Sequence, residues 1–319
     1  MSGALANKPG NGGAAWTRLS WALGFRRLGY DVCFVEQISP STCVDRHGSP
    51  CAIDDSINLA YFRTNTQRFG LQAALLVEGE MRSIGLTWDE LVDIASAADM
   101  LVNISGHLTV DDLKPRFRTR IFIDLDPGYT QFWHLQGLAE HRLRDHDLYF
   151  TVGENIGDAS CDIPRGGIAW EPIRQPVLLD EWPVVPTGAS PMRFTTVASW
   201  RGPLGRATHH DRIFGVKAHE FRKFASLPIQ VDYGFEIALE ADPADGHDMD
   251  LLRNNRWHLL DPQFVVPDPF TFREYVQRSS AEFSVAQGVY VETGSGWFSD
   301  RTVPNLASGT PAHAQETGW

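Results

Sequence analysis

Cysteine is scarce in this sequence, and so are the signals of export or membrane insertion. Cys33, Cys43, Cys51 and Cys161 include no CxxC pair and form no dense framework, which argues against a disulfide scaffold and favours a reducing compartment. No apolar run reaches the length of about 20 residues that a membrane-spanning helix needs. Residues 1–13 lack the basic and apolar regions of a signal peptide. We therefore expect a soluble, cytoplasmic protein with no integral membrane segment.

Clustered positive charge is also missing from the sequence. The 28 Lys and Arg residues are outnumbered by 40 Asp and Glu residues, and the net charge is −12. Binding to a nucleic-acid backbone or to an anionic membrane needs clustered basic side chains. Neither nucleic acid nor a membrane surface is therefore an expected partner.

Metal ligands at a typical spacing are absent too. Cys43, His47 and Cys51 follow one another at intervals of four residues, but a zinc site normally has a close cysteine pair and a fourth ligand. An ordinary loop is the preferred interpretation, and no metal site is predicted.

What the chain does contain is an alternation of strand-like and helix-like segments. Its 319 residues are too many for one ordinary core. In the first half, helices are predicted over 11–29, 87–97 and 129–144. Strands are predicted at 31–36, 73–77, 99–105, 120–125 and 147–152. This alternation predicts an α/β fold with a doubly wound parallel sheet.

A proline-rich segment divides the chain. Five prolines lie within 172–191 without a helical or strand period, which is typical of a stiff connector. Strand-like and helix-like pieces then alternate again near 193–200, 212–226, 233–241, 271–279, 281–286, 300–308 and 311–315. We predict two tandem Rossmann-like domains, residues 1–187 and 188–319, facing each other across a cleft with this segment as the hinge.

Both ends of the sequence look cut. The glycine-rich loop at 8–13 would normally follow a strand, yet only residues 1–7 precede it. The last predicted strand is followed only by 316–319. A parallel sheet that stopped there would expose an edge or a face, so we expect a fragment with an incomplete second domain.

Ligands of open α/β sheets bind beyond the carboxyl ends of the strands, which draws attention first to the loop at 8–13. Gly12 and Gly13 open the predicted helix there. Small residues at a helix N-terminus let a phosphate or a sugar approach the backbone N–H groups. A purely conformational role for the glycines is the alternative.

The second such loop is 294–301. Ser299 and Asp300 stand at a predicted helix start, and Arg301 adds a cation. Exposed N–H groups together with this cation suit a diphosphate. The alternative is an N-cap followed by a solvated arginine, which leaves the glycines of the loop unexplained.

Two segments resemble a known family. The stretch GGAAWTRLSWALGFRRLGYDVCFVE at 12–36 resembles the N-terminal loop and first helix of GT-B glycosyltransferases of the family 1 and family 4 type. SGWFSDRTVPNLASGTPAHAQETG at 295–318 resembles their donor-binding segment. The resemblance implies a nucleotide-diphosphate sugar held mainly by the second domain and an acceptor held by the first. It also implies that no metal or other cofactor takes part.

The chain departs from the family pattern in the donor loop. Many retaining members carry a pair of glutamates there, and the matching positions are Gly296 and Pro304. The retaining or inverting outcome therefore stays open. Glu316, with Thr317 beside it, is the remaining candidate for a contact to the donor sugar.

The candidate catalytic residues lie in the first half. His107 follows a predicted strand, where inverting members of the family place a base and retaining members a sugar contact. An imidazole there could take the proton of the acceptor hydroxyl, and a structural histidine is the alternative. Asp126 is predicted to orient His107 or bind the acceptor, unless it only caps the following helix.

The loop after the first strand of the second half completes the predicted donor site. It contains Ser199, Trp200 and Arg201, and such loops meet the donor phosphates in GT-B proteins. Arg201 offers a fork-shaped cation, whereas Trp200 either stacks on a ring or packs in the core. The acidic stretch 240–250 lacks calcium-loop spacing and is predicted to be a solvated loop.

The leading hypothesis is a glycosyltransferase that uses a nucleotide-diphosphate sugar and an unidentified acceptor. A non-hydrolysing sugar-nucleotide epimerase of the same fold and a truncated remnant without activity are the alternatives. A nicotinamide-dependent enzyme ranks last, because the glycine spacing of its fingerprint fails even though Glu36 ends the second expected strand.

Overall fold

The computed structural model describes residues 1–80, 82–186 and 192–319. Its fold is α/β and is built on two sheets of mainly parallel strands, as the alternation of predicted strands and helices indicated. The predicted domain boundary between residues 187 and 188 lies outside the described residues.

The helices and strands follow one another along the whole chain. The α-helices are α1 Gly12–Arg27, α2 Ile57–Arg68, α3 Trp88–Ala97, α4 Tyr129–Leu135, α5 Glu140–Leu143, α6 Lys217–Arg222, α7 Gly246–Asn254, α8 Pro262–Val265, α9 Pro269–Gln277, α10 Gly288–Glu292 and α11 Thr302–Ala307. The strands are β1 Cys33–Ile38, β2 Gln72–Val77, β3 Arg82–Gly85, β4 Leu101–Ile104, β5 Arg120–Asp124, β6 Leu148–Thr151, β7 Trp170–Pro172, β8 Arg193–Ser199, β9 Ala207–His209, β10 Arg212–Phe214, β11 Gly234–Glu240, β12 Trp257–Leu260, β13 Ala281–Ser284 and β14 Ala312–Ala314.

The first sheet has the strand order of a doubly wound fold. Its two parts, β3-β2-β1 and β4-β5-β6-β7, are joined by Ser2, which forms parallel bridges to Val35 and to Asn103. The sheet lacked a strand before the glycine-rich loop in the sequence-based prediction, and the segment around Ser2 takes that central place. The order of the strands reverses between Ser2 and β4, so this is where a ligand of such a sheet binds.

The second sheet is also doubly wound and has five parallel strands. Its sequence of strands is β12-β11-β8-β13-β14, so the chain starts in the middle at β8, moves outward on one side and then crosses to the other. The reversal lies between β8 and β13. The loops after these two strands therefore stand where the sheet would meet a ligand.

Helix α1 joins the two halves of the molecule. Its N-cap is Asn11, whose side-chain oxygen accepts a hydrogen bond from the backbone N–H of Ala14. Most of the first three turns is buried, because α1 packs on α9 of the second half. The indole N–H of Trp16 donates to the carbonyl oxygen of Pro269 at 2.6 Å.

Two hydrophobic cores contain side chains from both halves. The first includes Trp16 from α1 and Phe272 from α9, and between them lies Trp182, which is fully buried. The second joins Phe132 of α4 to Phe214 of β10, whose rings stack at 5.5 Å. Trp182 belongs to the proline-rich segment, so this part of the predicted hinge is packed into the core. An apolar interface of this kind restrains relative motion of the halves.

Candidate functional site

Two basic side chains of the first half lie close together beside the reversal point of its sheet. Lys8 is in the loop between Ser2 and α1, and Arg18 is on α1 with only 5% of its surface exposed. The charge of Arg18 is the main reason that the pKa of Lys8 falls to about 8, and burial adds to the effect. A bound anion would stabilise two like charges that lie so close together.

A second pair of basic side chains comes from the other half. Lys217 begins α6 and is 6% exposed, and Arg301 directly precedes α11. Burial, followed by the charge of Arg301, lowers the pKa of Lys217 to about 7. Arg301 also acts on Lys8, so the two pairs belong to one electrostatic neighbourhood.

Two carboxylates lie close to these cations. Asp300 accepts a hydrogen bond of 2.7 Å from the hydroxyl of Thr17 on α1. Burial opposes ionisation of Asp300, but Arg301, this hydrogen bond and the charges of Arg18 and Lys217 hold its pKa below the usual value. Asp126 accepts a hydrogen bond of 3.1 Å from the hydroxyl of Tyr290 in the second half.

We call this group the interface cluster; its members are Lys8, Arg18, Asp126, Lys217, Asp300 and Arg301. Below the pKa of Lys217, four cations against two carboxylates leave an excess of positive charge, in a chain whose net charge is −12. Lys8 and Arg301 are half-buried rather than buried, so the cluster borders on solvent. This combination of buried cations and partial access suits a small, strongly charged anion such as a diphosphate.

Glu282 on β13 adds a titratable group beside Arg301 and Lys217. Burial raises the pKa of its carboxyl to about 7, and its Oε2 atom has no hydrogen-bond partner among the described residues. A cavity of about 10 Å³ lies against Glu282, Arg301 and Asn305, which is close to the space that one water molecule occupies.

His107 stands near the first-half end of the cluster. Burial and the charges of Arg18, Arg142 and Lys8 lower its pKa to about 3, so the imidazole is neutral at pH 7. Asp126 was predicted to orient His107, but in the described part of the chain no hydrogen bond joins the two. The Asp126 carboxylate faces Tyr290 instead.

The glycines at the start of α1 are explained by packing. A Cβ atom on Gly12 would lie 2.2 Å from the carbonyl oxygen of Asp268, and one on Gly13 would lie 2.9 Å from the ring of Phe272. The N–H of Gly12 donates to the carbonyl oxygen of Val266 at 3.1 Å. Contact between α1 and α9 thus requires small residues here, and the predicted role of Gly12 and Gly13 toward a donor stays a prediction.

The other residues of the predicted donor segment have local partners. The hydroxyl of Ser299 accepts from the N–H of Arg301 at 3.2 Å, which closes a local turn before α11. The hydroxyl of Thr317 donates to the carbonyl oxygen of Trp297 at 2.6 Å, which fastens the end of the chain to the glycine-rich loop. Glu316 is exposed, and its carboxylate accepts from the N–H of Gly318 at 2.6 Å.

The loop after β8 makes its contacts elsewhere. Trp200 is buried, and its indole N–H donates to Asp248 at 2.8 Å. Arg201 forms a two-pronged ion pair with Asp245, while Ser199 is half-buried at the end of β8. The prediction of a solvated acidic loop was wrong for Asp245 and Asp248, which are buried against arginine or indole partners where α7 begins. Asp242 and Asp250 are exposed.

Glu36 has a structural task in β1. Its fully buried carboxylate accepts hydrogen bonds of 2.8 Å from the N–H groups of Leu5, Ala6 and Asn7 and from the Asn7 side chain. These bonds fix the loop that carries Lys8. Both oxygens of Glu36 are occupied in this way, so the carboxylate does not offer the ribose contact that a nicotinamide enzyme needs.

Sequence reasoning missed Arg18 and Lys217 of the interface cluster, and Arg142, whose charge acts on His107. Arg18 and Lys217 lie on predicted helical stretches, and the sequence of a helix does not distinguish a buried basic side chain from an exposed one. Arg142 lies in the stretch 129–144, which was predicted as one helix. In the structure this stretch forms two helices, α4 and α5. Lys8 belongs to the loop at 8–13 that the sequence analysis selected. Its position next to the glycines of that loop was the signal that could have identified it as a site residue.

No protein-family model matches this sequence, and a comparison with curated proteins finds no match. Within the three described stretches, none of the helices has the length and apolar character that crossing a bilayer requires. The same stretches hold no group of three His, Cys, Asp or Glu side chains placed to bind a metal ion.

Proposed function

We propose that this protein is a glycosyltransferase of the GT-B type, which moves a sugar from a nucleotide-diphosphate donor to an acceptor hydroxyl without a metal ion. In this proposal residues 1–187 and 188–319 are two Rossmann-like domains, and the donor lies mainly against the second. The strand order of both sheets and the likeness of segments 12–36 and 295–318 to the family support it.

The observation that carries the proposal is the pair of like charges, one buried and one half-buried, on each side of the interface between the halves. Lys217 and Arg301 approach it from one half, and Lys8 and Arg18 from the other. In each pair the arginine lowers the pKa of the lysine, as the main cause for Lys8 and as the second cause after burial for Lys217. An anion between the pairs relieves this repulsion. A diphosphate has the charge to do so.

The chemistry assigned to these side chains follows from their charges. Lys217 and Arg301 stabilise the negative charge that grows on the leaving diphosphate as the glycosidic bond breaks. Neutral His107 can accept the proton of the acceptor hydroxyl, and an anion bound among the neighbouring cations makes it a stronger base. Asp300, held by Thr17, keeps the charges of the two halves together.

Product analysis tests this proposal against its closest alternative. Purified protein is incubated with a panel of nucleotide sugars, with and without a mixture of hydroxyl-bearing acceptors, and the products are analysed by mass spectrometry and NMR. A glycosylated acceptor, formed only when an acceptor is present, is the expected result. An epimerised nucleotide sugar formed without an acceptor would replace the transferase with the epimerase.

A further inference from the structure

The loop after β1 turns back on itself and brings two cysteines together. Val44 and Pro50 form an antiparallel bridge, and Gly48 lies in the turn between them with a φ of +79°, a backbone conformation that glycine adopts readily. The N–H of Cys51 donates to the carbonyl oxygen of Cys43 at 3.1 Å. The register of this pairing therefore places Cys43 directly opposite Cys51.

The spacing of opposed residues in such a pairing suits a disulfide. Their side chains lie on the same face, and the Cα atoms of a hydrogen-bonded antiparallel pair are about 5.5 Å apart. Disulfides span Cα separations of about 4.4–6.8 Å. The Cβ atoms of opposed residues are about 4.5–5.5 Å apart, whereas a disulfide holds them at about 3.8 Å. A small inward movement of the two sides of the turn is therefore enough to join the sulfur atoms.

The two thiols differ in how far solvent reaches them. Cys43 is fully buried in the first hydrophobic core, and its sulfur lies 3.9 Å from the carbonyl oxygen of Ser39, a weak hydrogen bond that is lost when the side chain turns toward Cys51. Cys51 is half-buried and follows the exposed turn 46–50. A dissolved oxidant therefore meets Cys51 first, and Cys43 lies beneath it.

Metal binding does not explain the spacing of these residues. Cys43, His47 and Cys51 follow one another at intervals of four. Within residues 1–80, 82–186 and 192–319, no three His, Cys, Asp or Glu side chains are placed to bind a metal ion. The spacing instead puts the cysteines on the two sides of the turn and His47 at its exposed end.

We propose that Cys43 and Cys51 are a redox-sensitive pair, which a small disulfide such as glutathione disulfide converts to an intramolecular disulfide. The Cys51 thiol loses its proton, and its sulfur attacks one sulfur of glutathione disulfide. That S–S bond breaks, and one glutathione leaves as a thiolate that takes up a proton. Cys43 loses its proton in turn and attacks the Cys51 sulfur of the mixed disulfide, which releases the second glutathione. The two protein thiols thus lose two electrons, and the sulfur atoms of glutathione disulfide gain them.

The geometry also indicates that the bond is reversible. Closing the pair requires the inward movement described above, and a disulfide that forms under strain is reduced more readily than a relaxed one. Burial is the main cause that raises the pKa of both thiols, and each thiol also has a negatively charged neighbour. Oxidation by thiolate attack should therefore be slower at pH 7 than at pH 9. The pair lies outside the interface cluster, so this inference does not rest on the proposed function.

Peptide mapping of the full chain tests the pair, with glutathione disulfide as the oxidant. After incubation, free thiols are alkylated and the protein is digested with trypsin. Cleavage after Arg46 separates the two cysteines along the chain, so a disulfide between them appears as a linked pair of peptides. We expect this linked pair, with Cys33 and Cys161 alkylated, and its loss after treatment with dithiothreitol.

Two serine variants complete the experiment. Cys51→Ser should abolish the linked peptides and leave Cys43 reduced, because the accessible thiol is lost. Cys161→Ser removes another half-buried cysteine and should leave the linkage unchanged. Full alkylation of Cys43 and Cys51 after oxidation overturns the proposal. So does a mixed disulfide on Cys51 that Cys43 never resolves, or a linkage of either residue to a different cysteine or to a second copy of the chain.

Discussion

The sequence made Arg201 and Arg301 equivalent candidates, but the fold gives the two side chains different charged surroundings. Both belong to strand-end loops of the second half, and both were predicted to hold a diphosphate. Arg201 is paired by two prongs with Asp245, which is 8% exposed. The nearest carboxylate oxygen to Arg301 is 4.0 Å away on Asp300, whose other oxygen is bonded to Thr17.

This difference shows what strand-end position alone leaves undecided. The position of a loop at a strand end indicates the edge of the sheet at which a ligand binds. Whether an arginine in that loop is available to the ligand depends on whether a nearby carboxylate already pairs with it. The acidic stretch before α7 satisfies Arg201 locally. Arg301 instead shares its surroundings with Lys217 and Lys8, which carry the same charge.

The largest expected effect comes from removing the buried lysine of the Arg301 neighbourhood. Lys217→Met should abolish tight binding of a nucleotide sugar, because a cation that faces the diphosphate is lost. The same variant should raise the free energy of unfolding by about 1–4 kcal/mol, since an apolar side chain of similar volume replaces a buried charge. Calorimetric titration and urea unfolding measure the two effects.

Lys223→Met is the matched control for this lysine, because Lys223 is on the surface and pairs with Glu220 outside the cluster. It should leave nucleotide-sugar affinity unchanged. A destabilised Lys217→Met variant that still binds at full affinity would assign Lys217 to the fold and not to the ligand.

A smaller effect is expected from pH. The pKa of Lys217 is about 7, so its charge is present at pH 6 and largely lost at pH 8, and Lys8 follows with a pKa of about 8. Affinity for a nucleotide sugar should therefore fall about tenfold between pH 6 and pH 8, in proportion to the protonated fraction of Lys217. Titration calorimetry across this range measures it, and the diphosphate of a nucleotide sugar does not itself titrate there.

In Lys217→Met the affinity for a nucleotide sugar should depend much less on pH between pH 6 and pH 8. Affinity that rose with pH, or the same tenfold fall in Lys217→Met, would show that another group controls binding.

The smallest effect is expected on the Arg201 side. Asp245→Asn breaks the ion pair but keeps the size of the side chain that caps the turn before α7. Because the Arg201 side chain is 54% exposed, the loss of stability should be about 1 kcal/mol or less. Nucleotide-sugar affinity should change by less than about twofold, a difference below the worth of one ordinary hydrogen bond. A marked gain in affinity would mean that Arg201 can bind the nucleotide sugar once its ion pair with Asp245 is broken.

Much of the secondary structure could be predicted from periodicity. Predicted and observed bounds agree closely for α1, which begins after Asn11, and for α3, β2 and β8. Apolar runs of buried parallel strands and capped amphipathic helices are strong local signals. Helix α2 and strand β12 were missed, and Gly137, with φ of +72°, separates the two helices predicted as one.

The candidate site was predictable only in part, because its charges meet through topology. Asp300, Arg301 and Asp126 were singled out. The nearby Asp124 has a structural role, because its buried carboxylate accepts hydrogen bonds from Thr130, Gln131 and Thr151. Arg18 and Lys217 are separated by about two thirds of the chain, and no local pattern links them. Ser2 forms too short a pairing to be recognised as a central strand.

The central claim is that Arg301 belongs to the donor site and that Arg201 does not. It is tested most directly by calorimetric titration of UDP, GDP, dTDP and ADP into the unaltered protein and into Arg301→Gln and Arg201→Gln. We predict that one nucleotide binds, with its affinity lowered in Arg301→Gln by about 1.5–3 kcal/mol, the worth of a charged hydrogen bond, and nearly unchanged in Arg201→Gln. Equal losses in the two variants, or loss only in Arg201→Gln, would contradict the account.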